Sequence, residues 1–214
     1  MSPPNSQGPQ GPQAPQVIVY VEGGGDTRAH QAPLREGFSK LFARVLGGRF
    51  RLRVVACGGR SRAFEDFQRG VRLHPDARCI LLVDSETAVT TVTKWEHLRQ
   101  RRGDGWVRPK VVTEADLHFM VEAMETWLLA DPDALKTYFA QGFNAKKLSQ
   151  SIDLESVSKR VIAEKLHQAS APSKRGLYTK SDGFVLIGRI DPAKLRERCR
   201  HAAALFDELT RRTA

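Results

Sequence analysis

The chain has 214 residues and carries 34 Lys and Arg against 24 Asp and Glu, a formal net charge of +10. Its hydrophobic fraction of 41% suits an ordinary core, and no run approaches the about 20 apolar residues of a membrane-spanning helix. The basic balance is typical of nucleic-acid-binding domains, although a chain from an arginine-rich proteome would show it too.

The start of the chain predicts neither a secretory signal nor a folded segment. Residues 1–16 are rich in Pro, Gln and Gly and contain no basic cluster and no apolar run, so we expect a disordered tail. The three cysteines are far apart and form no CxxC pair, which argues against a zinc knuckle. Their odd number favours a reducing, cytoplasmic location.

Strands and helices are predicted to alternate from residue 17 onwards. The strands are predicted at 17–21, 50–56, 79–83, 109–112 and 117–121. The helices are predicted at 32–46, 62–73, 92–101, 122–130, 133–139, 154–167 and 192–212. This order predicts a Rossmann-like α/β fold, with a parallel sheet flanked by helices on both faces. We expect a single domain over 17–214, with a mostly helical portion at 132–214.

Acidic residues follow two of the predicted strands. Glu22 comes directly after the first strand, and Asp84 and Glu86 come directly after the third. The carboxyl ends of parallel strands meet at one edge of a sheet, and residues two apart in extended backbone leave the same face. Three converging carboxylates call for a cation, and oxygen ligands favour Mg²⁺ or Mn²⁺. The alternative is that these acids are solvated loop residues.

Glycines and arginines at the same predicted edge are candidates for phosphate binding. Gly23 and Gly24 could let the backbone approach a phosphate, or could form a flexible turn. Asp26 could be a further metal ligand or a helix cap. Arg60 and Arg62 could hold a phosphate near the metal, or could form an exposed helix start.

Two later residues extend the candidate site. Glu122 and Glu125 are three apart, so on a helix they would share a face, and Glu125 could add a metal ligand. Glu125 could equally be an acid favoured by the helix dipole. Lys180 could bind a phosphate or act on a leaving group. The sequence contains neither a paired histidine nor a nucleophile elbow, so we expect no covalent catalysis.

Two of these stretches, VIVYVEGGGD and ILLVDSE, resemble the Toprim fold of topoisomerases, primases and OLD-type nucleases. In that fold a Glu follows the first strand and an acidic DxD pair follows a later one. Glu22 matches the first position, and Asp84 with Glu86 matches the pair. The second acid of the pair is Glu here, which keeps the charge and lengthens the side chain.

The chain is similar, more closely, to a bacterial family of small Toprim-like proteins long catalogued as a domain of unknown function. The matching stretches are VEG with Asp26, GGR at 58–60, VEAMETWLLADP at 121–132 and YTK at 178–180. Such proteins often lie beside ABC-type ATPases, and related pairs act in phage defence.

The resemblance implies a Mg²⁺-dependent nuclease for which Glu22, Asp84, Glu86 and Lys180 are the catalytic residues. The substrate would be DNA or RNA, tRNA included, and an ABC-type ATPase would be a protein partner. Homo-oligomerisation is left open. The rival hypothesis is a non-catalytic subunit that binds nucleic acid or an ATPase. A nucleotide-binding or transferase domain is a weaker hypothesis, because the chain has no GxGxxG and no P-loop signature.

Overall fold

The computed structural model describes residues 16–25 and 27–211, and within them the protein has an α/β fold. Four parallel strands form one sheet in the order β2-β1-β3-β4. They are β1 (Gln16–Val21), β2 (Arg51–Ala56), β3 (Arg78–Asp84) and β4 (Leu117–Met120). The predicted Rossmann-like architecture, a parallel sheet with helices on both faces, is confirmed.

Helices cover both faces of this sheet. They are α1 (Arg28–Leu46), α2 (Arg60–Leu73), α3 (Lys94–Gln100), α4 (Met124–Leu128), α5 (Pro132–Phe139), α6 (Lys159–Ser170), α7 (Lys180–Leu186), α8 (Pro192–Arg198) and α9 (Arg200–Thr210). Short 3-10 turns lie at Glu114–Asp116, Ala145–Lys147 and Leu154–Ser156. No helix in the part of the chain that is described has the length and apolarity needed to cross a membrane.

The unbroken apolar strands are explained by burial on both faces. Val19 and Ile80 point to the face covered by α1 and the C-terminal helices, whereas Ile18 and Leu81 point to the face covered by α2 and α3. Because successive strand residues alternate between faces, a strand buried on both sides has no polar positions. On the first face, Gly37 of α1 lets α7 approach closely, since a Cβ there would lie 2.2 Å from the Phe184 carbonyl oxygen.

Several predicted boundaries differ from the structure. The strand predicted at 109–112 is wrong: the Val112 N–H closes a turn on the Pro109 carbonyl at 3.0 Å, and Val111 is 76% exposed. The helix predicted at 122–130 begins only at Met124. The helix predicted at 192–212 is interrupted at Cys199, which has extended backbone. Helix α7 was not predicted.

Other differences lie at the two ends of the chain. Gln16, assigned to the tail, is the first residue of β1. The rest of the predicted tail, 1–15, lies outside the described residues, and so does Arg212, the last residue of the predicted final helix.

The three cysteines are free thiols buried in the protein. Burial raises the pKa of Cys57 to about 12 and that of Cys79 to about 11. Cys199 is fully buried where α8 meets α9, and burial raises its pKa as well. These thiols therefore act as small core residues.

We expect His118 to make the fold acid-sensitive. This β4 side chain is 4% exposed, and burial, reinforced by the charge of Lys94, lowers its pKa from 6.5 to about 3. Between these values the unfolded chain binds the proton that the folded chain excludes, so stability falls as the pH drops through 6.5. Relative to His118→Gln, the wild type should lose about 2 kcal/mol of unfolding free energy between pH 7 and pH 5, measured by urea denaturation.

The matched control is His30→Gln on the exposed start of α1, which should keep the wild-type pH dependence. A His118→Gln protein that loses stability in acid as steeply as the wild type would contradict the assignment.

Candidate functional site

The strand ends bring acidic side chains to the carboxyl edge of the sheet. Glu22 follows β1, Asp84 is the last residue of β3, and Glu125 lies in α4 just beyond β4. The charges of Glu22, Glu86 and Glu125 all act on Asp84, which is their common neighbour. The structure therefore gathers at one edge the acids that the sequence predicted there.

One carboxylate oxygen of Glu22 accepts two hydrogen bonds, which fix the side chain. Its Oε2 accepts a hydrogen bond from Arg60 Nη1 at 2.8 Å and another from the Asp84 backbone N–H at 3.2 Å. Burial raises the pKa of Glu22 and the charge of Glu86 adds to this, whereas Arg60 and the Asp84 N–H oppose it. The carboxylate is thus fixed in place while its negative charge is only partly compensated.

Asp84 lies at the centre of this group. Its Oδ1 accepts the Met124 backbone N–H at 2.9 Å, so it fixes the start of α4 against the end of β3. Burial raises the pKa of Asp84 well above its ordinary value, and the charges of Glu22, Glu125 and Glu86 raise it further. A buried carboxylate among like charges favours protonation or a bound cation.

Glu86 does not leave the strand in extended backbone, so the argument that it shares a face with Asp84 is wrong. Its φ of 68° is left-handed, and its N–H donates to the Glu122 carbonyl at 2.8 Å. Its Oε2 is paired with Lys159 Nζ, at the first turn of α6. The Lys159 backbone N–H also donates to Glu122 Oε2 at 2.9 Å.

Glu125 keeps a place in the cluster, but for a reason other than the one predicted. Glu122 precedes α4, so the two acids do not share a helix face. Glu125 Oε1 instead accepts a long hydrogen bond from the Tyr178 hydroxyl at 3.4 Å. Burial raises the pKa of Tyr178, and the charge of Glu125 raises it further, so the hydroxyl remains a donor.

Arg60 has a structural role, because its guanidinium is hydrogen-bonded to residues from three parts of the chain. Its Nε and Nη2 donate to the Asp104 carboxylate at 2.8 Å, and its Nη1 donates to Glu22 and to the Asp84 carbonyl at 2.8 and 2.6 Å. The guanidinium also stacks over the Trp106 ring. With every nitrogen committed, Arg60 has little capacity for the predicted phosphate. Arg62 is exposed on α2 and pairs with Asp66.

The glycine-rich loop after β1 pairs with the loop after β2. Gly23 N–H donates to the Gly58 carbonyl at 2.8 Å, and Gly58 N–H returns a bond of 3.0 Å. Gly23 has a φ of 123°, and a Cβ on Gly24 would lie 3.0 Å from the Gln31 backbone. The pairing uses the Gly23 N–H that the predicted phosphate contact requires. Asp26 lies outside the described residues.

Lys180 is the exposed first residue of α7. Its charge lowers the pKa of Asp84, against the larger effects that raise it, so it lies on the same edge as the acids. A capping box fixes this helix start, because Thr179 and Asp182 exchange side-chain and backbone hydrogen bonds. The Thr-x-x-Asp spacing is a signal from which α7 could have been predicted.

Sequence reasoning missed two residues of the site. Asp104 lies in the polar loop after α3, where no pattern points to a contact with Arg60. Lys159 meets Glu86 across 73 residues of chain, which no local spacing encodes.

The carboxylate oxygens at this edge are suitable ligands for a hard cation, but they are not arranged as a metal site. Within the described contacts each carboxylate uses one oxygen, namely Glu22 Oε2, Asp84 Oδ1, Glu86 Oε2 and Glu125 Oε1. Nevertheless, across residues 16–25 and 27–211, no three His, Cys, Asp or Glu side chains are grouped closely enough to hold a metal ion. Metal binding therefore requires these side chains to reorient.

Comparison with known protein families assigns most of the chain to one family. The family model described as "Domain of unknown function (DUF4276)" matches residues 21–210, which include all four strand ends. No curated protein and no solved structure gives a significant match.

We expect Asp84→Asn to stabilise the metal-free protein at pH 7. The pKa of Asp84 is raised in the folded state, so ionisation of this carboxyl destabilises the fold. The free energy of unfolding therefore falls as the pH rises from 3.8 through the pKa of the folded state. Asparagine keeps the acceptor for the Met124 N–H and removes the charge. In EDTA the melting temperature should rise by about 2–4 °C for each kcal/mol relieved.

The control for this change is Asp76→Asn, an exposed residue just before the other end of β3, which should leave the melting temperature unchanged. A destabilised Asp84→Asn protein would show that the carboxylate is well compensated.

We expect Arg60→Gln to destabilise the protein strongly. Asp104, whose side chain is 2% exposed, would retain only Arg101 among its described ion pairs, and Glu22 would lose its guanidinium partner. Breaking such a pair costs about 3 kcal/mol or more. Arg62→Gln, on the exposed side of the same helix, should change the unfolding free energy by about 0.5 kcal/mol or less in the same urea titration.

Proposed function

The chain belongs to this family of unknown function, and we propose that it is a Mg²⁺- or Mn²⁺-dependent phosphodiesterase that cleaves nucleic acid at the carboxyl edge of its sheet. The observation that carries the proposal is the partly buried group of acids around Asp84, whose ionisation is disfavoured by burial and by the neighbouring carboxylates. Carboxyl groups with a raised pKa are enriched at sites that bind a cation or transfer a proton, which supports the proposal.

Glu22, Asp84, Glu86 and Glu125 are the proposed holders of the metal. When bound, the ion would supply an activated water and neutralise charge on the scissile phosphate. Within the protein, Arg60 keeps Glu22 against the end of β3, and the Met124 N–H orients Asp84. Glu86 is paired with Lys159, so it would hold the ion only after this pair separates.

Lys180 is the proposed phosphate contact. It is exposed at the cluster, and its ammonium group can bind a phosphate oxygen or stabilise a leaving oxygen. Lys159, once separated from Glu86, offers a second cation at the same edge. The net charge of +10 supports a polyanionic substrate bound without regard to sequence, either DNA or RNA, tRNA included.

The wider role is proposed from the resemblance of the strand-end motifs to Toprim nucleases. It comprises a cytoplasmic effector with an ABC-type ATPase partner that acts in phage defence. The motifs that support it, at Glu22 and at Asp84 with Glu86, lie at neighbouring strand ends of a parallel sheet.

A second candidate function is a non-catalytic subunit that binds nucleic acid or an ATPase. Two ion pairs favour it, Arg60 with Glu22 and Lys159 with Glu86, because each supplies a protein cation where the first hypothesis requires a metal. In that case the acids would have a structural role.

The deciding experiment incubates plasmid DNA, single-stranded DNA and total tRNA with Mg²⁺, Mn²⁺ or EDTA. We expect metal-dependent cleavage by the wild type and a loss of about 100-fold or more in Glu22→Gln and Asp84→Asn, because each removes a charge from the reacting site. Glu197→Gln, an exposed change on α8, should cleave as the wild type does.

Melting curves with and without Mn²⁺ separate the two functions. Metal-dependent cleavage together with stabilisation that is lost in Asp84→Asn supports the nuclease. Absence of cleavage on every substrate, with no shift of the wild-type melting temperature, would overturn it in favour of the non-catalytic subunit.

A further inference from the structure

Two arginines share one tyrosine ring beside the candidate site. The Cζ of Arg175 lies 4.0 Å from the centroid of the Tyr138 ring, and the Cζ of Arg189 lies 5.1 Å from it. Tyr138 belongs to α5, Arg175 precedes α7, and Arg189 follows it. The tyrosine is 7% exposed, whereas both arginines are exposed. One buried ring thus holds two solvent-facing guanidinium groups.

Hydrogen bonds hold this ring in place. The Tyr138 hydroxyl donates to Asp182 Oδ1 at 2.7 Å, and Asp182 Oδ2 accepts both the backbone N–H and the hydroxyl of Thr179 at 2.8 and 2.7 Å. Asp182 is therefore already well hydrogen-bonded. Arg175 Nε remains 3.7 Å from it, beyond a normal hydrogen bond.

Stacking leaves guanidinium donors available for a ligand. A guanidinium lying on an aromatic face is attracted to the ring, and its N–H groups still point outward in the plane of the group. Arg175 makes one long ion pair with Asp182, and no carboxylate partner of Arg189 is found in the part of the chain described. The two Cζ atoms are at most 9.1 Å apart, the sum of 4.0 and 5.1 Å. That separation is within the Debye length of about 10 Å at 0.1 M salt, so their charges repel.

The arginine pair is linked to the acid cluster by a short segment. Residues 175–180 run from Arg175 to Lys180, a span of about 18 Å or less even if fully extended. Within it the Tyr178 hydroxyl donates to Glu125, and Lys180 acts on Asp84. Cations therefore occur at both ends of a segment that borders the proposed cleavage site.

We propose that Arg175 and Arg189, mounted on Tyr138, form an anchor for the phosphate backbone of the nucleic-acid strand that enters this site. The inference rests on the proposed function for the identity of the ligand. A nucleic-acid strand carries one charge for about each 3.4 Å of its length, so it can neutralise both guanidinium groups at once. The arginines are positioning residues, outside the acid cluster.

The test measures binding without cleavage. Fluorescence anisotropy of labelled oligothymidylate in EDTA, over a range of NaCl concentrations, compares the wild type with Arg175→Gln/Arg189→Gln. We expect the double variant to lose about tenfold or more in affinity, as two charge-assisted contacts require. The slope of log K against log salt should become shallower by about 1.4, or 0.7 for each phosphate contact.

Two control variants separate the anchor from general charge and from stability. Arg69→Gln/Arg72→Gln removes the same charge from exposed positions on α2, which covers the other face of the sheet, and should bind nearly as the wild type does. Arg175→Lys/Arg189→Lys keeps the charge and loses the stacked plane, so it should recover only part of the affinity. All variants should melt near the wild-type temperature.

The outcomes distinguish this inference from the nuclease proposal. Equal losses in both glutamine pairs would overturn the anchor, as would absence of oligonucleotide binding in the wild type. Competition by inorganic phosphate as effective as that by oligonucleotide would also overturn it, in favour of a single-anion site. If the wild type cleaves, the Arg175→Gln/Arg189→Gln variant should show a raised KM with kcat retained. Cleavage with an unchanged KM would leave the nuclease standing and exclude the anchor.

Discussion

The guanidinium of Arg60 joins the parts of the chain on which the candidate site is built. It contacts Glu22 after β1, the carbonyl of Asp84 at the end of β3, and the Asp104 carboxylate in the loop after α3. A planar group with donors in fixed directions can satisfy all of these acceptors at once, which an ammonium group cannot. This one side chain thus connects the residue after β1 and the loop after α3 to the end of β3. The desolvation of its guanidinium is offset by two carboxylates.

The group of acids around Asp84 lowers the stability of the metal-free fold, and the same negative charge could bind a cation. Asp84 fixes the start of α4, yet its charge is disfavoured by burial and by neighbouring carboxylates. Lys159 relieves part of this cost at Glu86 from the first turn of α6. The helical C-terminal part is therefore coupled to the strand ends by charge as well as by the apolar core.

The sequence was informative where local pattern and burial coincide. The runs that became β1, β2 and β3 were predicted to within one residue. In β1 and β3 the reason is burial on both faces, which makes the strand interior apolar. Strand β2 lies at the edge of the sheet and exposes Arg51 and Arg53. Val111 and Val112 form an equally apolar run, but they pair with no strand of the sheet in the part of the chain described. The Val112 N–H instead donates to the Pro109 carbonyl, and the chain turns there. Strand ends placed Glu22 and Asp84 at one edge. Lys159 and Asp104 came from distant loops, and only the packed structure could assign their partners.

The buried cysteines make this chain a convenient host for a spectroscopic reporter. Cys57, Cys79 and Cys199 are at most 5% exposed, and burial holds their thiols in the protonated, unreactive form. A maleimide dye or spin label would therefore react with a cysteine introduced on the surface and spare the native thiols. A label beside α6 or α7 could follow the movement of these helices in the wild-type background.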